Sequence, residues 1–173
     1  MSDDKMRFRP MLIAEVARVA GDPRETIRTR LKQGVFSFER GKGWKRFTDF
    51  ETITISIHAR LKRATNDDSL AEIGMLLAAK VLMDEWIEDE NGVPYFAMKT
   101  FEKDRFIMFR RGETGDWVAN LVESNEELNA EINQRLDESF TTAPVFTCIN
   151  LRTLLRQTLL AILKVQVEAE EGK

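Results

Sequence analysis

Arg24, Arg28 and Lys32 stand four residues apart, the spacing that stacks side chains along one face of a helix, with Thr26, Thr29 and Arg30 interleaved. A segment further on adds Lys42, Lys45 and Arg46 around a Gly41-Lys42-Gly43 turn. Rows of cations neutralise phosphates, and arginine or threonine at the exposed start of such a helix suits the edges of bases. Arg24, Thr26, Arg28, Thr29, Lys32, Lys42, Lys45 and Arg46 are therefore the candidate site. The chemistry they suit is non-covalent binding of a polyanion.

Other chemistries have few residues to work with. The chain holds one histidine (His58), one cysteine (Cys148) and one tyrosine (Tyr95). A Cys–His nucleophile pair would join residues 90 positions apart with no supporting motif. No GxxxxGK[ST] or GxGxxG loop offers a phosphate cradle, and a single cysteine makes neither an internal disulfide nor a thiolate zinc cage. No catalytic residue, metal ligand or cofactor is expected, and the chain does not read as an enzyme. Cys148 reads as a small buried apolar side chain. His58 reads as a surface residue or phosphate contact on a basic helix, and the acidic stretch Asp84 to Glu90 as a solvated helix end.

The net charge of −3 conceals a division. Residues 1–65 hold 15 Lys and Arg against 8 Asp and Glu, whereas residues 66–173 hold 11 against 21. Asymmetry of this kind points to a basic module for a polyanion joined to an acidic one with another task. Two small domains, 1–65 and 66–173, are expected within the 173 residues. The charged N-terminus lacks the apolar core of a signal peptide and no run of eighteen apolar residues occurs, so a cytoplasmic protein without a membrane span is expected.

The basic part must position its cations with short elements. Leu12 to Ala20 places Leu12, Val16, Ala17, Val19 and Ala20 on one side of a helix, and Gly21 stops it. Asp22-Pro23-Arg24-Glu25 predicts a second helix, with Asp22 as cap, Pro23 at the first position and Glu25 completing a capping box. That helix ends at Gly34, with Ile27 and Leu31 inward and the cation row outward. Val35–Arg40 and Trp44–Phe47 predict a β-hairpin around Gly41-Lys42-Gly43. Thr48-Asp49-Phe50-Glu51 is a further capping box, opening a helix whose Phe50, Ile53, Ile57 and Leu61 share a face.

Helix, turn, helix, hairpin, helix is the order of a winged helix-turn-helix. The series Ile13-Ala14-Glu15-Val16-Ala17, Gly21, Thr26-Ile27-Arg28, Gly34-Val35-Phe36 and Trp44-Lys45-Arg46-Phe47-Thr48-Asp49-Phe50 resembles the MerR-type DNA-binding domain, shared with excisionase-like proteins. The resemblance covers residues 9–63 and implies a second helix in the DNA major groove with the wing on flanking phosphates. Thr29-Arg30 stands where many members of that family carry an aromatic pair.

In the acidic part, Asn66-Asp67-Asp68 reads as a linker and Ser69-Leu70-Ala71-Glu72 as the capping box of a helix ending near Asn91-Gly92. Strands are predicted at Tyr95–Phe101, Phe106–Arg111 and Trp117–Glu123, forming an antiparallel meander, and a helix from Ser124 to about Asp137. After Pro144 a short apolar run, Val145–Ile149, precedes a last helix from Asn150 to about Val167. Its apolar stripe is Leu151, Leu154, Leu155, Thr158, Leu159, Ile162 and Leu163. The expected class is α+β, a winged helix-turn-helix followed by a small domain of three strands and three helices. The expected function is a sequence-specific transcriptional regulator bound to double-stranded DNA, a homodimer through the 69–90 or the 150–167 helix, with a small-molecule or protein effector left open. The alternative is an interaction or ligand-sensing protein whose winged fold no longer binds DNA.

Overall fold

A computed structural model describes residues 5–6, 8–38, 46–88, 90, 94–97, 102–112, 115–138 and 146–171. The elements in chain order are β1 (Lys5–Met6), α1 (Ile13–Ala20), α2 (Arg24–Lys32), α3 (Asp49–Thr65), α4 (Asp68–Asp84), β2 (Trp86–Glu88), β3 (Pro94–Ala97), β4 (Phe106–Arg111), β5 (Trp117–Val122), α5 (Asn125–Glu138), β6 (Phe146–Asn150) and α6 (Leu151–Glu171). The class is α+β, with six helices and two small antiparallel sheets among the described residues.

Local chemistry sets most helix ends. The Glu15 carboxylate accepts from the Leu12 N–H at 2.8 Å and opens α1. Gly21 closes it at φ +70°, a left-handed conformation that costs glycine nothing. The predicted box at α3 is present: Thr48 Oγ accepts from the Glu51 N–H at 3.2 Å, and Glu51 accepts from the Thr48 N–H at 2.8 Å. Asn150 accepts from the Thr153 N–H at 2.8 Å and caps α6.

Two predicted starts differ. At α2 the residue before the helix is Pro23, which caps nothing, and Asp22 instead accepts from Arg30 and Arg63. Two guanidinium groups outcompete orphan backbone donors for one carboxylate. At α4 the cap is Asp67, accepting from the Leu70 N–H at 3.1 Å, so the helix begins before the expected Ser69. Asn66, at φ +53°, makes the turn from α3 into α4 almost without a linker. The expected boundary between residues 65 and 66 falls on this turn.

The strands depart further from expectation. The predicted 69–90 helix stops at Asp84, and Trp86–Glu88 pairs antiparallel with Pro94–Ala97. That pair takes β1 on its other side, with Lys5 opposite Ala97, giving the sheet order β1-β3-β2. The expected meander of 95–101, 106–111 and 117–123 is therefore not formed. The strand β4 lies between β5 and β6, with Met108 opposite Asn120 on one side and Cys148 on the other. Of the run predicted after Pro144, residues 146–149 lie in β6, which pairs with the other edge of β4 and completes this sheet. Of the predicted hairpin, residues 39–45 lie outside the described residues. Residues 35–38 are not strand, and Phe47 bridges Met11 through paired backbone bonds of 2.7 and 2.8 Å.

The core is organised around α3. Residues 52–59 are all buried, so this helix is covered on every side, by α1, α4 and α6. One apolar cluster runs from Val16, Ile27 and Phe47 through Ile55 and Leu61 to Leu82, Phe109 and Ile162. Alternation along β4 sends Ile107 and Phe109 into that cluster and Phe106 and Met108 to a smaller one with Val122 and Leu128. Arg105, just before β4, is buried and binds Glu85 and Glu123, while its carbonyl accepts from the Leu151 N–H at 2.8 Å.

Gly74 lets α4 approach both α3 and β4. A Cβ there would stand 2.8 Å from Leu61 Cδ1 and 2.8 Å from Phe109 Cζ, and both neighbours are fully buried. Neither can swing into solvent, so Gly74→Val overpacks the core. We expect a loss of about 2 kcal/mol and a melting temperature lower by roughly 4–8 °C. Thermal unfolding followed by circular dichroism checks this, and a variant that melts with the wild type refutes it.

Candidate nucleic-acid interface

Helix α2 is held to the body from one side. Ile27 is buried and Leu31 half-buried, whereas Arg24, Arg28 and Lys32 are exposed on a different face. The spacing of four residues produces this separation without help from tertiary contacts. Arg28 pairs with Glu25 one turn before it at 2.5 Å, in a contact exposed to solvent and therefore weak. Thr29 is exposed at the edge of the row. Thr26 is half-buried and lines a crevice between α2 and the start of α4, with Gln33, Asp68 and Glu72.

Arg30, also on α2, has a structural task. Its guanidinium meets Asp22 at 2.5 Å, and Arg63 from α3 meets the same carboxylate at 3.0 Å and the Ala20 carbonyl at 2.8 Å. These contacts fix the turn between α1 and α2, and hence the angle at which the cation row is presented. The sequence pattern does not single out Arg63, since nothing local links it to a residue 41 positions earlier.

Arg46 is exposed and donates to the Pro10 carbonyl at 3.2 Å. It shares a crevice with Arg9, Glu15 and Glu170. Lys42 and Lys45 lie outside the described residues. The structure thus brings Arg24, Arg28 and Lys32 onto one exposed surface, with the exposed Thr29 at its edge, and both Thr26 and Thr29 line the crevice.

The charge division along the chain is not a division in space. The acidic end of α6 returns to the basic part: Glu168 pairs with Arg18, Gln166 donates to the Arg9 carbonyl at 3.2 Å, and Glu170 faces Arg9 and Arg46. The hydrogen bond between Arg9 and Glu15 raises the arginine's pKa and holds the Glu15 carboxyl below the usual carboxylate range.

His58 is neither a surface residue nor a phosphate contact. It is 1% exposed on the central helix, edge-on to Phe36 with 5.3 Å between ring centroids. Neither ring nitrogen has a hydrogen-bond partner among the described residues. Burial, with Arg30 nearby, pushes its pKa down from 6.5 to about 4. Cys148 also differs from expectation: it is exposed on β6, an edge strand of its sheet, although Met108 opposite it on β4 is buried.

No protein-family model matches the chain, and no curated protein matches it in sequence. Among the described residues no helix is long and apolar enough to cross a membrane.

Proposed function

We propose that this protein is a sequence-specific DNA-binding transcriptional regulator, acting as a dimer with a winged helix-turn-helix head. Helix α2 enters the major groove, and the wing segment ending at Arg46 rests on flanking phosphates. The observation that carries this reading is the exposed row Arg24, Arg28 and Lys32 on a helix anchored from another side by Ile27. Such a row has the geometry of a groove-binding helix: phosphate contacts supply affinity, and one or two side chains near the helix start read bases. One short helix spans few base pairs, so two heads held at a fixed spacing supply the rest of the specificity.

The alternative, a protein-interaction or ligand-sensing role without DNA, draws on a different observation. Arg28 is paired with Glu25, and the acidic end of α6 sits against Arg9 and Arg18, which offsets part of the positive charge of residues 1–65.

Fluorescence anisotropy of the full chain on duplex DNA, titrated with salt, separates the two. Under the DNA reading, log affinity falls steeply with log salt. Lys32→Ala reduces that slope by about 0.9, because one phosphate fewer is neutralised and its counterion stays on the duplex. Arg28→Ala relaxes sequence preference by about 1–3 kcal/mol if its guanidinium reaches a guanine edge. Absence of binding at low salt supports the alternative.

A further inference from the structure

Helix α6 carries a second apolar row on the side away from the core. Leu160 is 64% exposed, Leu163 42% and Val167 51%, while Leu155, Leu159, Ile162 and Val165 are buried. Hydrophobic periodicity places Leu163 with the buried stripe; the helix packs with that edge outward. Positions 160, 163 and 167 follow the alternating three–four spacing of a coiled-coil seam, and the same spacing continues to Arg156 on one side and Glu170 on the other.

The charges along α6 are polarised. Arg152 and Arg156 lie toward its N-terminus and Glu168, Glu170 and Glu171 toward its C-terminus, with the exposed Lys164 between them. Arg152 is engaged by Asp104 and Glu168 by Arg18, and Glu170, exposed, borders the crevice of Arg9 and Arg46 in its own subunit, whereas Arg156 has no ion pair among the described residues. Two copies of this helix laid parallel would set Arg156 against Arg156 and Glu170 against Glu170. Laid antiparallel, each copy's arginine end meets the other's glutamate end. A surface with opposite charges at its two ends and leucines at its middle is complementary to itself under a two-fold axis, as an isologous interface requires.

We propose that a second copy of this chain covers the row, with the two α6 helices packed antiparallel. Leu160 lies against Leu163 of the partner subunit, and Arg156 lies near Val167 and Glu170 of the partner subunit. The seam from residue 156 to residue 170 is about 21 Å long at the helical rise. The competing surface is weaker: on α4 only Leu76 and Met83 are exposed, seven residues apart, with the exposed Lys80 between them. The inference rests on the dimeric part of the proposed function and supplies its seam, and it stands or falls without DNA.

The test uses the full chain without DNA. Light scattering of the wild type gives a dimer at micromolar concentration. Leu160→Glu raises the dimer dissociation constant about 100-fold or more, since it sets a charge in an apolar seam. Its circular dichroism spectrum and melting curve stay those of a folded chain. In a Cys148→Ser background, which removes the exposed native thiol, Arg156→Cys and Val167→Cys form a mixed disulfide when combined, and neither cross-links to itself. A monomeric wild type overturns the proposal. So does self-cross-linking of either cysteine variant, or a dimer that Leu160→Glu leaves intact and Leu76→Glu dissociates.

Discussion

Leu159→Glu unfolds the protein, while Leu160→Glu, one position on, leaves the subunit folded. The two side chains lie about 100° apart around α6. Leu159 is 6% exposed and belongs to the main core cluster, whereas Leu160 is 64% exposed. Removing a buried leucine side chain costs about 2–5 kcal/mol. A carboxyl group forced into the same place adds the cost of desolvation or of protonation, roughly another 2 kcal/mol or more. The combined loss is comparable to the whole stability of an ordinary domain, about 5–15 kcal/mol. At position 160 the carboxylate stays in water, and the change in subunit stability is expected within about 0.5 kcal/mol. Urea unfolding followed by circular dichroism reads both. A cooperative, wild-type-like transition for Leu159→Glu would show that α6 is seated differently on α3.

The second large effect is a loss of stability on mild acidification, carried by His58. Its imidazole is held neutral by burial and by the neighbouring Arg30, with its folded pKa near 4, while Asp68 and Asp22 pull the other way and Lys62 adds to the depression. In the unfolded chain the same imidazole titrates near 6.5. The folded state therefore binds fewer protons than the unfolded state between these values. Stability is full above about pH 6.5 and is lost as pH falls toward 4, by about 3 kcal/mol at the lower end. The steepest part precedes most carboxylate titration. Urea midpoints measured between pH 7 and 5 should fall for the wild type, and His58→Leu should flatten that segment of the curve. Parallel curves for the two proteins would mean that the buried imidazole is already charged or still reached by water.

How far the fold is legible in the sequence depends on the range of the interactions involved. Thr48 and Glu51 are three residues apart, and their reciprocal hydrogen bonds form wherever the chain turns into a helix, so the start of α3 is legible. Gly21 is equally local. The residues of β6 are marked by their apolar run, but their partner is not, because Cys148 meets Met108 across 40 positions of chain. The short strand at Trp86 reads locally as the end of a helix, since its pairing partner Phe96 lies ten positions on and no local period marks the pair.

The candidate site divides in the same way. That Arg24, Arg28 and Lys32 share a face follows from residue type and a period of 3.6, and it holds for any helix over those residues. Only packing determines which neighbouring positions turn inward. Asp22 is free to cap α2 until Arg30 and Arg63 converge on it. His58 is a polar residue on a basic helix until α1, α4 and α6 close around α3 and leave its imidazole in the interior. Leu163 meets the same hydrophobic criterion as Leu159, yet a helix laid on a core can bury only one side, and the seating of α6 against α1 and α3 selects Leu159.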